Sequence, residues 1–454
     1  MRVVIVGAGL SGLSLAAFLR RLNVDCVVLE EASSLQARYV APYTLFANAL
    51  SCFKAFDMEH IFTSSGMQPE ECFGIQNDKG NWLLRIANRN VHLPALRADD
   101  VIPLSTAPPA NSESIVSQRL SESRKQKMGY VPLRCTLPAF CLRKSLRCHI
   151  AEIKFSARVV DLVPHDGVKG GVHAVLQDGS TEWGDVVVGA DGMHSTIRRL
   201  LYPSEHVGTS SRSLGMVQID GFVDCPQCPP HLMHPVECWG KNRALQAVPF
   251  HRFGEDTLAF SATLHSPSKE LVNLQQDMDS MEVLQVFRRL LGREYAGFGD
   301  TVATLLSHAT LAVPTEVLEV PVMPRWYNRR AVLMGEAAHG SLPSFLNQDA
   351  SLCVEDAALL AIALLDIPLQ RDSGFEYAFR QYETVRRDRV ERYIRQSRRA
   401  RKLAAMKNAT LRNTLLRLTP PISVHLAQRW LSRWTYSSQQ LEVDPKIQME
   451  TAFR

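Results

Sequence analysis

No stretch of 18 residues in this 454-residue chain is free of charge, so the sequence offers no membrane span. A secretory signal is also lacking: Met1-Arg2-Val3-Val4-Ile5-Val6 runs straight into a glycine turn, without a long apolar stretch or a small-residue cleavage site. Cysteine is sparse, ten residues scattered along the chain, which excludes a disulfide framework. These absences predict a cytoplasmic protein. Repeats and low-complexity tracts are missing too. With 46% apolar and 21% charged residues, disorder, collagen and coiled coil are excluded as the main architecture. The net charge of +5 is concentrated in one place: nine basic and two acidic residues lie between Arg386 and Lys402. The rest of the chain is near −2, which argues against a nucleic-acid-binding surface over the whole body.

Four possible zinc ligands do fall together, in Cys225-Pro-Gln-Cys228-Pro-Pro-His231-Leu-Met-His234. Only two prolines separate the ligand pairs, too short and stiff a spacer to wrap a tetrahedron. A Pro-rich turn between strands is the expected reading, and no metal site is predicted.

What the chain does have is glycine in a particular context. The apolar run 3–7 leads into Gly7, Gly9 and Gly12, then a helical stretch over 13–22, then a second apolar run, 26–29, ending at Glu30. Strand, glycine turn, helix, strand and acid make the βαβ dinucleotide fingerprint. Gly7 permits the tight turn, Gly9 lets the backbone approach a pyrophosphate, and Gly12 lets helix and strand pack closely. The helix N-terminus supplies N–H groups and partial positive charge, and Glu30 is placed to bind a ribose hydroxyl pair.

Two further elements repeat this logic. Residues 185–189 form a buried strand leading to Asp191 and Gly192, with Ser195 as a helix N-cap and Arg198 after it. Residues 331–335 form another strand, turning into Glu336 and His339 ahead of a helix over 350–365 and a basic helix over 381–402. Between them, β-like runs at 214–223, 244–250 and 258–264 and an amphipathic helix at 281–291 predict an inserted sheet domain.

The ordered set Gly7-x-Gly9-x-x-Gly12, Gly189-Ala-Asp191-Gly192-x-x-Ser195, Gly335-Glu336-Ala-Ala-His339 and Tyr382-Glu383-x-x-Arg386-Arg387, with a weaker Arg134-x-x-Leu137, resembles the single-component FAD-dependent aromatic hydroxylases, which include para-hydroxybenzoate and salicylate hydroxylases. The resemblance covers roughly residues 1–400. It implies an α/β fold with a discontinuous Rossmann-like FAD-binding domain (1–75, 130–205 and 326–400), a β-sheet substrate domain (76–129 and 206–325) and a C-terminal helical tail (401–454). It also implies residue roles. Gly7, Gly9, Leu10, Gly12 and Glu30 would hold the ADP half and Arg134 a phosphate. Asp191 and Gly192 would lie by the flavin chain, Gly335 and Glu336 by the ribityl hydroxyls, and Pro343 by the ring. The implied activity is oxygenation of a small organic substrate, using NAD(P)H and O₂. The cofactor carries the reactive atoms, which explains why no catalytic triad stands out.

Three departures gather around the expected flavin ring. Glu336 replaces the usual Asp, Val40-Ala41-Pro42 replaces a glycine-rich stretch, and Asn347-Gln348-Asp349 replaces a Gly-x-Gly run. Asp349 as N-cap would put an anion where the charge of reduced flavin develops. Either the loop is re-routed and Asp349 points away, or reduced flavin is disfavoured. A dehydrogenase or reductase, and a rearrangement catalyst or binding protein with structural FAD, therefore stay as alternatives.

Other features carry plainer expectations. His339 reads as a loop histidine bonded to nearby backbone, and the arginines of the basic helix as a solvated face. The tail 411–436, with Leu415, Leu416, Trp430, Leu431 and Trp434, is expected to pack on the body or on a second subunit rather than on a membrane. Tyr43, Trp239, Phe250 and Phe260 are the candidate substrate-pocket residues.

Overall fold

The computed structural model describes residues 1–35, 41–64, 72–87, 90–92, 130–132, 134–165, 170–202, 211–224, 235–252, 255–265, 281–320, 323–340, 348–365, 367, 372–406 and 408–418. The Cys225–His234 cluster and the tail beyond 418 lie outside them. Among the described residues no group of His, Cys, Asp and Glu is placed to hold a metal, and no helix is long and apolar enough to cross a membrane.

Three distant segments build one six-stranded sheet, in the order Tyr327–Asn328, Ala331–Leu333, Val186–Gly189, Arg2–Val6, Asp25–Leu29, Ile153–Lys154. All neighbours are parallel except the first pair. The central strands are valine-rich without polar alternation because both of their faces are covered. Val3, Val4, Ile5, Val27, Val187 and Val188 are fully buried. Helix Leu10–Arg21 packs against helix Asp349–Ala363, and both belong to this core. Two smaller pairings border the unit: the antiparallel strands Val159–Pro164, Val172–Leu176 and Thr181–Gly184, and the pair Pro42–Phe46 with Arg134–Pro138.

The second large sheet has seven strands, in the order Leu311–Glu319, Arg212–Asp224, Glu255–His265, Arg243–Arg252, Val236–Trp239, Cys72–Asn77, Trp82–Ala87. The predicted β-runs and amphipathic helix are there, and the domain boundary placed at residue 75 falls inside one of its strands. Alternation along the strands sends Val217, Ile219, Phe260, Ala262 and Leu264 to one face, where Phe287, Leu291 and Leu306 of helices Met281–Glu294 and Asp300–Ser307 cover them.

Helix Asp372–Ala404, about 50 Å long at 1.5 Å per residue, ties the two sheets together. Near its start Asp372 pairs with Arg330 at 2.5 Å, and near its end Arg398 pairs with Glu319 of the seven-stranded sheet at 2.7 Å. The short helix Ala409–Arg417 then docks on that sheet. Its buried Arg412 donates to the Gly240 and Trp239 carbonyls, and Leu416 packs with Ile75, Leu83 and Trp239. For the described part of the tail, packing against the body is what is found.

The expectation of a solvated arginine face needs correcting. Arg386 is 1% exposed and pairs at 2.5 Å with both Asp356 and Glu355, while Arg389 pairs with Glu355 at 2.6 Å. Burial opposes ionisation of both acids, yet the guanidinium groups hold Asp356 and Glu355 below their ordinary values. Arg386 is therefore a core residue whose removal takes the guanidinium partner from buried Asp356 and one of two from buried Glu355. Arg386→Met is expected to cost about 3–5 kcal/mol in urea denaturation. The half-exposed i,i+4 pair Arg395–Glu391 gives the control: Arg395→Met is expected to cost under about 0.5 kcal/mol.

Candidate functional site

The three glycines of the first turn have different reasons to be there. Gly7 sits at φ +104°, and a Cβ would lie 2.5 Å from the Ala190 carbonyl oxygen; at Gly12 it would lie 2.0 Å from the Gly7 oxygen. The protein's own packing forbids both. A Cβ on Gly9 would meet nothing within 4 Å. Gly9 is the N-cap of helix Leu10–Arg21, with no side chain to occupy the first N–H groups, and it opens into a cleft of ≈ 390 Å³. The bare backbone thus fits a pyrophosphate, whose place a side chain there would take.

Gly7, Gly9, Leu10, Glu30, Asp191 and Gly192 all line this cleft. Glu30 is pinned by Ala8 N–H at 2.7 Å and Ala32 N–H at 3.0 Å. Each oxygen keeps acceptor capacity for a hydroxyl. Asp191 turns toward helix Thr196–Leu201, accepting from the Thr196 and Ile197 N–H groups and from Ser195 Oγ, while Ser195 caps the helix through Arg198 N–H. Burial raises the Asp191 carboxyl above its ordinary range.

The residues lining the cleft do not include Arg134, which is 2% exposed with its guanidinium 5.9 Å from the Phe46 ring. Arg143, which the motif reading missed, reaches the glycine turn and donates to Ala8 O at 2.8 Å. The cleft's arginines are Arg158 and Arg199, also missed, since neither stands in a motif.

The third motif is fastened to the first. Gly335, at φ +57°, leaves no room for a Cβ, which would lie 2.2 Å from Ser11 Oγ, and its N–H donates to Asp356 at 2.8 Å. His339 does bond nearby backbone, through Nδ1 to Gly340 O at 2.8 Å, and also meets Asp356 through Nε2 at 2.9 Å. Pro343 and Asn347 lie outside the described residues.

A second cavity, ≈ 310 Å³, lies between strand Pro42–Phe46 and the seven-stranded sheet, and both hollows share Tyr43, Glu336, Asp349 and Ala350. Asp349 is thus turned to the cleft, not away from it. The expected N-cap is corrected: Gln348 holds that position without a side-chain bond, and Asp349 is the first helical residue. Burial, and then the neighbouring Glu336 carboxylate, push Asp349 up to about 6, against the N–H groups of Asp349 and Ala350.

Tyr43 and Trp239 line the second cavity; Phe250 and Phe260 do not. Phe260 is on the opposite face of its strand, where Ser261, Thr263 and His265 are the cavity residues. Phe250 packs away from it against Phe140 and Phe222. The lining is more polar than an aromatic search suggests, with Gln218, Asp220 and Gln246 beside Ser261 and Thr263. Burial pushes Asp220 up to about 6, and burial with nearby arginines takes His265 down to about 4.

Two outcomes follow from this geometry. Gly9→Ala is expected to keep the melting temperature within about 2 °C and lose FAD affinity at least tenfold in calorimetry, whereas Gly12→Ala is expected to fail in folding itself. Asp349, whose folded pKa is raised, binds its proton more tightly folded than unfolded, so its contribution to stability is lost as pH rises from about 4 to about 6. Asp349→Asn is expected to gain on the order of 1–3 kcal/mol at pH 7.5. The gain should disappear below about pH 4; an equal gain at both pH values would refute the burial argument.

Comparison with known proteins agrees with this geometry. A family model described as an FAD binding domain matches residues 1–397. The 3-amino-4-hydroxybenzoate 2-monooxygenase of Streptomyces cremeus is 26% identical over 404 residues, 88% of this chain and 86% of that protein. The structure of Klebsiella pneumoniae HpxO complexed with FAD and uric acid superposes with a TM-score of 0.67 at 19% identity, covering 97% of both chains. A salicylate hydroxylase substrate complex superposes with a TM-score of 0.64 at 18% identity, covering 97% of this chain and 96% of that one. The chain belongs to the FAD-binding domain family, among the flavoprotein monooxygenases.

Proposed function

We propose that the protein uses NAD(P)H and O₂ to hydroxylate or epoxidise a small aromatic, polyketide or terpenoid-like molecule in secondary metabolism. The observation that carries this reading is the meeting of a dinucleotide cleft with a second cavity of mixed polar and apolar lining at Tyr43, Glu336, Asp349 and Ala350. Relatives named as monooxygenases acting on 3-amino-4-hydroxybenzoate, and as urate hydroxylases, support it. When bound, FAD supplies acceptance of hydride and activation of O₂.

The chain supplies position and electrostatics. Gly9 and the N–H groups of helix Leu10–Arg21 would take the pyrophosphate, Glu30 the ribose, and Glu336 the ribityl hydroxyls. Asp349 keeps its proton at the junction only up to about pH 6, and residues of the seven-stranded sheet and of the helix Asp372–Ala404 line the second cavity. The Asp349–Glu336 pair also favours a second reading, in which FAD is retained without redox turnover.

One experiment separates the two: anaerobic NADPH addition to the FAD-loaded protein, then O₂ uptake with candidate aromatics. Flavin bleaching and substrate-dependent uptake are expected. Asp349→Asn should raise the midpoint potential by on the order of 30 mV. Product formation without NADPH and O₂ would establish the second reading instead.

A further inference from the structure

The cavity-facing residues of the seven-stranded sheet form hydrogen-bonded rows. Asp220 stands opposite Ser261, and Ser261 opposite Gln246, on three neighbouring strands. Gln246 reaches on to Thr44 at 3.2 Å, next to Tyr43 at the junction of the two cavities. Gln218 Nε2 donates to both oxygens of Asp220, at 3.0 and 3.1 Å, and Ser261 also donates to it. No lysine or arginine among the described residues forms an ion pair with Asp220. The cavity's arginine, Arg401, approaches Met216, and His265 stands opposite Met216. That row is four residues along the strand from Asp220, or about 13 Å.

A half-buried carboxylate with only an amide and a hydroxyl for company is under-solvated. These three contacts leave about one of its four lone-pair sites unfilled, on a residue that lines the cavity. A bound molecule with an O–H or N–H at that point would complete the shell, whereas one presenting a carboxylate or an ether oxygen there would set acceptor against acceptor.

We propose that Asp220 is the specificity-determining residue of the substrate cavity: it accepts a hydrogen bond from a hydroxyl or amino group on the aromatic substrate and excludes substrates that bring an anion or an alkylated oxygen to that position. Gln218 and Ser261 act as positioning residues that aim the carboxylate. The substrate class is a phenol or arylamine whose donor lies at the Asp220 end. This assignment rests on the oxygenase reading above.

The test keeps the two apart. FAD-loaded wild type, Asp220→Asn and Asp220→Glu are titrated calorimetrically with 1-naphthol, 1-methoxynaphthalene, 1-naphthylamine and 1-naphthoate, and FAD content is measured in each preparation. Wild type is expected to bind the naphthol and the naphthylamine at least about tenfold more tightly than the methyl ether and the carboxylate. Asp220→Asn should shrink that preference to under about threefold and improve naphthoate binding. Asp220→Glu, which keeps the acceptor, should retain the sign of the preference and serves if the Asn variant does not fold. A wild type without preference for the donor-bearing compounds overturns the assignment, as does an Asn variant, folded and FAD-loaded, with the preference intact. A wild type that takes up no FAD overturns the oxygenase reading itself and the assignment resting on it.

Discussion

One buried carboxylate holds the nucleotide half together. Asp356, with no exposed surface, accepts from Gly335 N–H, His339 Nε2 and Arg386 Nε. Three stretches far apart in sequence thereby share an anchor: the turn after strand Ala331–Leu333, the helix Asp349–Ala363 and the helix Asp372–Ala404. Burying an ionised acid is tolerable only with several strong donors, one of them charged. The third and fourth sequence motifs, which look independent on paper, are the two ends of this one arrangement. Since Gly335 also presses on Ser11 of the first helix, the arrangement fixes the wall of the dinucleotide cleft.

Much of this was legible in the sequence where the signal is local. The glycine spacing after an apolar run forecasts a turn whose Gly7 and Gly12 have no room for a side chain, because strand, turn and helix contact one another within twelve residues. Long-range pairing was not legible in the same way. Glu355 and Asp356 inside an apolar helix already signal that partners must exist, but nothing local points to Arg386 and Arg389. Their setting in a charged run suggested solvent instead. The error over Phe260 is of another kind. The run Leu258-Ala-Phe260-Ser261-Ala262-Thr263-Leu264-His265 alternates, so parity alone puts Phe260 in the helix-covered core and Ser261, Thr263 and His265 on the other face. Strand parity is a better guide to the cavity lining than aromatic character.

The same alternation links stability to recognition. On strand Arg212–Asp224, Val217, Ile219 and Val223 contribute to the core, while Gln218 and Asp220 line the cavity between them. A register slip by one residue would exchange the two sets. Helix cover on one face therefore specifies which polar groups meet a bound molecule on the other. The substrate side cannot drift without the core side drifting with it.

The junction of the two cavities shows how far a helix end can be altered. Bare N–H groups at the start of helix Asp349–Ala363 would favour an anion by about 0.3–1 kcal/mol. Burial and the Glu336 carboxylate oppose ionisation of Asp349 by about 2 pKa units, on the order of 3 kcal/mol. Burial and like charge win, so Asp349 holds its proton into the range where ordinary aspartate has lost it. A neutral acid at this point can donate a hydrogen bond where a fixed anion could only repel. An aspartate at this helix start is then compatible with negative charge developing beside it below about pH 6, where burial keeps the proton on; above that the carboxylate is ionised and opposes such a charge.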